Sequence, residues 1–196
     1  MVVPMGGGRT AGRSAPNYEC VDFLLIGKKG VGCTTLVNTF IHEGFYQPPP
    51  NSPRPPRYHK LLSFHRRELD ITSHPTPYED IETSDAGSVF DRNAGVMLVF
   101  DVTNNDSFDV VRDMFEWAKK KGGDGVQIVV VGTKIDLDSE RVVDSSKAKL
   151  LCEELGIRYF EASAKTNDGV DAAFFHLLRL VLHIPEDEPK GKCMIC

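Results

Sequence analysis

The sequence holds one tryptophan and five cysteines in 196 residues. The cysteines are scattered, so no disulfide framework is expected, and a reducing compartment fits them. No apolar stretch approaches the roughly 18–20 residues that a membrane-crossing helix needs. The start, Met1-Val2-Val3-Pro4-Met5, lacks the apolar core of a secretory leader. Val2 stands where N-myristoylation would need glycine. Positive charge is also short: the net charge is −5, and no nucleic-acid partner is expected.

What is present is ordinary for one globular domain, with 41% hydrophobic and 26% charged residues. Residues 1–18, rich in glycine, are expected to be a flexible tail, 19–184 the domain, and 185–196 a C-terminal tail. Short apolar runs at Val21–Ile26, Val96–Phe100 and Val126–Val131 read as buried strands, with further strands at Tyr58–Phe64, Glu68–Ser73 and Tyr159–Ala162. Helices are expected over Thr34–His42, from Asp106, over Ser145–Leu155 and over Asp168–His183. Residues 74–94 have no clear period. Apolar strands alternating with helices predict an α/β fold, a mostly parallel six-stranded sheet with helices on both faces. Ligands of such sheets sit outside the strands' carboxyl ends. Attention therefore falls on the loops after Ile26, Ser73, Phe100, Val131 and Ala162.

The loop after Ile26 reads Gly27-Lys28-Lys29-Gly30-Val31-Gly32-Cys33-Thr34-Thr35. It follows a strand, opens a helix and matches the phosphate-binding pattern G-x-x-x-x-G-K-[ST] except at the lysine, which is Cys33. Glycines there let backbone N–H groups wrap a phosphate at a helix start. Thr34 has the hydroxyl position for Mg²⁺. The loop after Val131 reads Gly132-Thr133-Lys134-Ile135-Asp136, in which Asp136 can accept two hydrogen bonds from a guanine edge and the Lys134 stem can lie over the base. The loop after Ala162 brings Ser163-Ala164-Lys165.

With these three loops in this order, the chain resembles the Ras superfamily of small GTPases, and the Rab and Ras branches most. Val99-Phe100-Asp101-Val102-Thr103 and Glu161-Ala162-Ser163-Ala164-Lys165-Thr166-Asn167-Asp168-Gly169-Val170 carry the likeness furthest. The resemblance covers about residues 20–184 and is stronger after residue 95. It implies a P-loop G-domain with GTP or GDP as ligand and Mg²⁺ as metal. It assigns Gly27, Lys29, Gly30, Val31, Gly32, Cys33, Thr34 and Thr35 to the phosphates. Thr133, Lys134, Asp136, Ser163, Ala164 and Lys165 go to guanine, with Thr133 replacing the usual Asn as in the Rho branch.

Three departures fall on the phosphate side. Cys33 replaces the lysine. The family's D-x-x-G closes the third strand; with that strand ending at Ser73, the motif falls on Ser73-His74-Pro75-Thr76, and its water-orienting glutamine on Pro77. Ser84-Asp85-Ala86-Gly87 looks more like the motif but lies too near the next strand. The first switch is Pro50-Asn51-Ser52-Pro53-Arg54-Pro55-Pro56, in a proline-rich segment too stiff for an order–disorder transition. Losing two charged hydrogen bonds costs about 3–6 kcal/mol, or roughly 10²–10⁴ in affinity. Weakened or absent nucleotide binding and negligible hydrolysis are expected, with no catalytic residue assigned. The alternative is a cycling GTPase switch in which Lys28 or Lys29 supplies the missing charge.

Cys193-Met194-Ile195-Cys196 fits a prenylation motif at Cys193. That places the protein on the cytoplasmic face of a membrane, lipid-anchored. The expected partners are effector or regulatory proteins at the switch face. An SH3-type contact is a further candidate at Pro50–Pro56, where P-x-x-P lies beside arginine. A monomer is expected. Cys33 at a helix start is a candidate reactive thiol, and Ser73 beside His74 a weak candidate dyad.

Overall fold

The computed structural model describes residues 17–46, 55, 57–91 and 93–185. Strand β1 runs Glu19–Gly27, β2 Tyr58–Phe64, β3 Arg67–Pro77, β4 Ala94–Asp101, β5 Gln127–Thr133 and β6 Arg158–Ala162. They form one sheet in the order β2-β3-β1-β4-β5-β6. β2 and β3 are an antiparallel hairpin and the other pairings are parallel. The helices are α1 Cys33–His42, α2 Asn105–Asp109, α3 Val111–Gly122, α4 Ser145–Leu155 and α5 Val170–Val181. Three short 3-10 segments, Tyr78–Asp80, Asp85–Asp91 and Ile135–Glu140, complete the described elements.

Successive strand residues face opposite sides of a sheet, so the apolar runs of β1, β4 and β5 feed two cores. Phe23, Leu25, Met97, Val99, Val129 and Val131 pack under α1 and α5, against Leu36, Phe40, Phe174 and Leu177. The rings of Phe40 and Phe174 stack with centroids 4.0 Å apart, joining those helices. Leu24, Ile26, Val96, Leu98 and Val130 pack on the other side against Met114, Trp117 and Ala118 of α3 and Ala148 and Cys152 of α4. Asp144 caps α4, accepting from the Ser146 N–H at 2.7 Å.

Two expectations are corrected. The last helix begins at Val170 and ends at Val181, shorter than Asp168–His183. The third strand does not stop at Ser73 but runs on to Pro77. β2 leaves the sheet where Tyr58 pairs with Ser73. Beyond that point, among the described residues, β3 pairs with β1 on one flank only, so Pro75 and Pro77 withhold no N–H from a second described strand.

Residues 1–16 of the tail expected at 1–18, residues 186–196 of the tail expected at 185–196 with the prenylation motif at Cys193, and most of the Pro50–Pro56 segment lie outside the described residues. Among the described residues no helix is long and apolar enough to cross a membrane.

Candidate functional site

The loop between β1 and α1 is shaped by its glycines. Gly27 is the last residue of β1, where a Cβ would stand 2.4 Å from the Val99 carbonyl oxygen and 2.6 Å from Val31 Cγ2. Only glycine fits so close an approach. Gly30 and Gly32 have φ of 92° and 103°, in the left-handed region. Gly32 caps α1 with no side-chain bond, and no acidic residue stands in the first turn. The N-cap thus offers no side chain to the leading N–H groups of α1. The Cys33 sulfur lies back over the loop, 3.2 Å from where a Gly27 Cβ would be. Burial pushes its thiol up to about 12, against a smaller opposing pull from a backbone hydrogen bond. Cys33 is half-buried, and a thiol held protonated there argues against the candidate reactive thiol.

The other end of the site is a set of tied loops. The Thr133 hydroxyl lies 2.6 Å from the Val31 carbonyl and 2.9 Å from the Phe100 carbonyl, linking the β5 end to the first loop and to β4. Lys134, at a left-handed φ of 64°, sets its ammonium 2.7 Å from buried Asp101. Asp101 also accepts from the Thr103 N–H and hydroxyl at 2.9 and 2.7 Å. The buried Ser163 hydroxyl donates to Asp136 at 2.6 Å, and Lys165 lies 3.8 Å from the other oxygen of that carboxylate. The Ala164 carbonyl accepts from Thr39 of α1 at 3.2 Å. Two β-α loops and the first loop are therefore one connected body.

Behind it, Arg141 holds Glu161 with both guanidinium ends, at 2.9 and 3.3 Å, and the Tyr159 hydroxyl donates to the same carboxylate at 2.9 Å. Burial raises the Glu161 carboxyl, but the hydrogen bonds from Arg141 and Tyr159 outweigh it and hold the group below its ordinary range. Burial and Glu161 together push the Tyr159 phenol well up. The tie of Asp101 to Lys134 and the grip of Arg141 and Tyr159 on Glu161 are not evident in the sequence, although Asp101 and Glu161 both lie in the stretches that carry the family likeness.

The phosphate side differs from the expectation. Ser73 pairs with Phe23, deep in the sheet, and is 2% exposed. It cannot stand at the strand's mouth, so the reading Ser73-His74-Pro75-Thr76 is corrected. Ser73 and His74 also face opposite sides of β3, and His74 Nε2 lies 2.8 Å from Asp22, so they form no dyad. The residue level with Gly27 is Pro77, which puts Pro77-Tyr78-Glu79-Asp80 at the close of the strand. The next residue, Ile81, is 6% exposed and packs in the core. Ala86 of the second candidate stretch is likewise core, on a 3-10 segment covering the sheet. Glu79 and Asp80 reach the first loop. The Lys29 N–H donates to Glu79 Oε1 at 3.5 Å, and the Lys29 ammonium pairs with Asp80 at 3.5 Å.

A family model described as Ras family matches residues 22–183. The chain belongs to the Ras family. This Ras-family chain is 27% identical over 194 residues to Ras-related protein Rab-3 of Caenorhabditis elegans, covering 94% of this chain and 89% of that one. It is 30% identical over 155 residues to Ras-related protein Rab-3B of Bos taurus, with 79% and 71% covered. To GTP-binding protein ypt2 of Schizosaccharomyces pombe it is 30% identical over 176 residues, with 85% and 84% covered. It is thus a small GTPase of Rab/Ras type, and the family's ligands are GTP or GDP with Mg²⁺. The described residues fit that ligand unevenly. The carboxylate of Asp136, the Lys134 stem and the glycine loop suit guanine and the nearer phosphates. Cys33, Pro77, Glu79 and Asp80 do not suit the outermost phosphate and its metal.

Proposed function

We propose that this Ras-family protein holds a guanine nucleotide mainly from the base side, with weakened phosphate affinity, and turns it over negligibly. The observation that carries this reading is the asymmetry of the site. At one end, Asp136 and Lys134 are each fixed by a buried or half-buried partner. At the other, the lysine of the phosphate loop is a cysteine and two carboxylates approach Lys29. Hydrolysis needs the phosphate charge neutralised and the attacking water oriented. The lysine position cannot supply the first, and buried Ile81 cannot supply the second.

In this proposal Gly27, Lys29, Gly30, Val31, Gly32, Cys33, Thr34 and Thr35 contribute the phosphate loop. Thr133, Lys134, Asp136, Ser163, Ala164 and Lys165 contribute the base pocket. Thr34 would offer its hydroxyl to Mg²⁺. A displaced-lysine switch is the weaker reading, since the Lys29 ammonium is 3.5 Å from Asp80 and directed to that carboxylate. The protein acts as a binding module, lipid-anchored through Cys193 on the cytoplasmic face of a membrane. Effectors or regulators engage its altered switch face.

The test is the nucleotide released on denaturing the purified full chain, followed by single-turnover GTP hydrolysis. Bound guanine nucleotide with no phosphate release supports the proposal. An empty protein that ignores GDP, or hydrolysis at the rate of an intact small GTPase, contradicts it.

A further inference from the structure

The sheet order gives the site a direction. The base loops follow β5 and β6, on one flank of β1, and Val31 turns its carbonyl to Thr133 on that flank. β3 lies on the opposite flank, with Pro77 level with Gly27. A nucleotide whose base meets Asp136 lays its phosphates across the loop from the Val31 side toward the β3 side. The last phosphate of a nucleotide so placed would face the point where Lys29 meets Glu79 and Asp80.

We infer that the pocket is selective for guanine nucleotides that lack the outermost phosphate, GDP or GMP over GTP, with Glu79 and Asp80 as the specificity-determining residues. The inference rests on the nucleotide reading above. Glu79 already takes the Lys29 N–H, at 3.5 Å, and Asp80 already takes its ammonium, at 3.5 Å. A terminal phosphate carries roughly two negative charges and would meet two carboxylates there. The Lys29 ammonium offsets only one of the two carboxylates, and Cys33 adds no further positive charge where the family has lysine. GDP and GMP stop short of the carboxylates and keep the base contacts. A GTPase homologue of this kind is held in one liganded state, which suits a module without a working switch.

Glu79 is exposed and the Asp80 side chain is 47% exposed, so Glu79→Gln with Asp80→Asn changes charge at nearly constant shape. The full-length protein, stripped of nucleotide, is titrated with fluorescent GDP and then competed with GMP, GDP and GTP, with Mg²⁺ and with EDTA. The wild type is expected to prefer GDP over GTP by roughly tenfold or more. The double variant is expected to close most of that gap by tightening GTP alone. GTP bound as tightly as GDP by the wild type overturns the inference. So does a double variant that tightens GDP and GTP equally, since the carboxylates then act on any anion. Failure of both proteins to bind any guanine nucleotide is a different result, and removes the nucleotide reading together with this one.

Discussion

The hydroxyl of Thr133, at the end of β5, lies 2.6 Å from the carbonyl of Val31 in the loop after β1, across 102 positions of sequence. A hydroxyl has one proton, so it is shared between Val31 and the Phe100 carbonyl at 2.9 Å. This single side chain joins the base end of the site to the phosphate end. Thr133→Val keeps the shape and removes the donor. It should cost about 1–3 kcal/mol of stability, read by urea denaturation, and should weaken GDP binding in the same titration. A variant as stable as the wild type, with unchanged GDP affinity, would show the two ends to be independent.

Gly27 is the tightest point of the loop, with a Cβ position 2.4 Å from a carbonyl oxygen of β4. Gly27→Ala forces β1 and β4 apart or drives Val31 out of place. Overpacking of this kind costs roughly 1–3 kcal/mol. Thermal denaturation should register the loss, whereas Gly125→Ala, where a Cβ meets open space, should leave the midpoint almost unchanged. Equal midpoints for the two variants would argue against the close approach.

Glu161 gives the fold an acid-side dependence. Its folded carboxyl titrates below the ordinary value of 4.5, because Arg141 and Tyr159 outweigh the effect of burial. A depressed carboxylate contributes stability above its unfolded pKa and loses it as pH falls through the folded one. Glu161→Gln should therefore be less stable than the wild type at pH 7, by about 1.5–3 kcal/mol. The difference should shrink as the pH is taken below 4.5. A gap that stays constant from pH 7 to acid would mean that the charge of Glu161 contributes nothing.

Cys33 should behave as a silent thiol. With its pKa pushed up to about 12, the reactive thiolate is about 10⁻⁴ of the population at pH 8. Alkylation followed by peptide mapping should find exposed Cys20 modified before Cys33. In the nucleotide titration, Cys33→Lys should tighten binding, by roughly tenfold or more for one restored charged hydrogen bond. No gain in affinity would mean that the phosphate end is closed by more than the missing charge.

Much of the fold can be read from the sequence because its central strands are continuous apolar runs. Val96–Phe100 lies wholly within β4, and the helix expected at Ser145–Leu155 is α4 residue for residue. The loops after β5 and β6 could be located because short motifs close those strands, and Asp136 and Ser163 of the two loops meet at 2.6 Å. The end of β3 could not. Pro75 and Pro77 signal a broken strand, and their tolerance depends on β2 leaving at Ser73, which is a property of the sheet and not of the segment. Moving the strand end by four residues moves the family's motif from Ser73 to Pro77 and brings Glu79 and Asp80 to the loop. Arg141, Tyr159 and Glu161 escape notice for a similar reason: they meet only when β6 and the segment after β5 are packed together.

The most direct test of a site held from its base end is the affinity for GDP measured by calorimetry in excess Mg²⁺ and again in EDTA, on the full-length chain stripped of nucleotide. Binding through Asp136, Lys134 and the glycine loop, with no metal holding the outer phosphates, predicts that the two dissociation constants agree within about threefold. A loss of affinity of roughly 100-fold or more in EDTA would place the metal at the centre of binding and contradict the account.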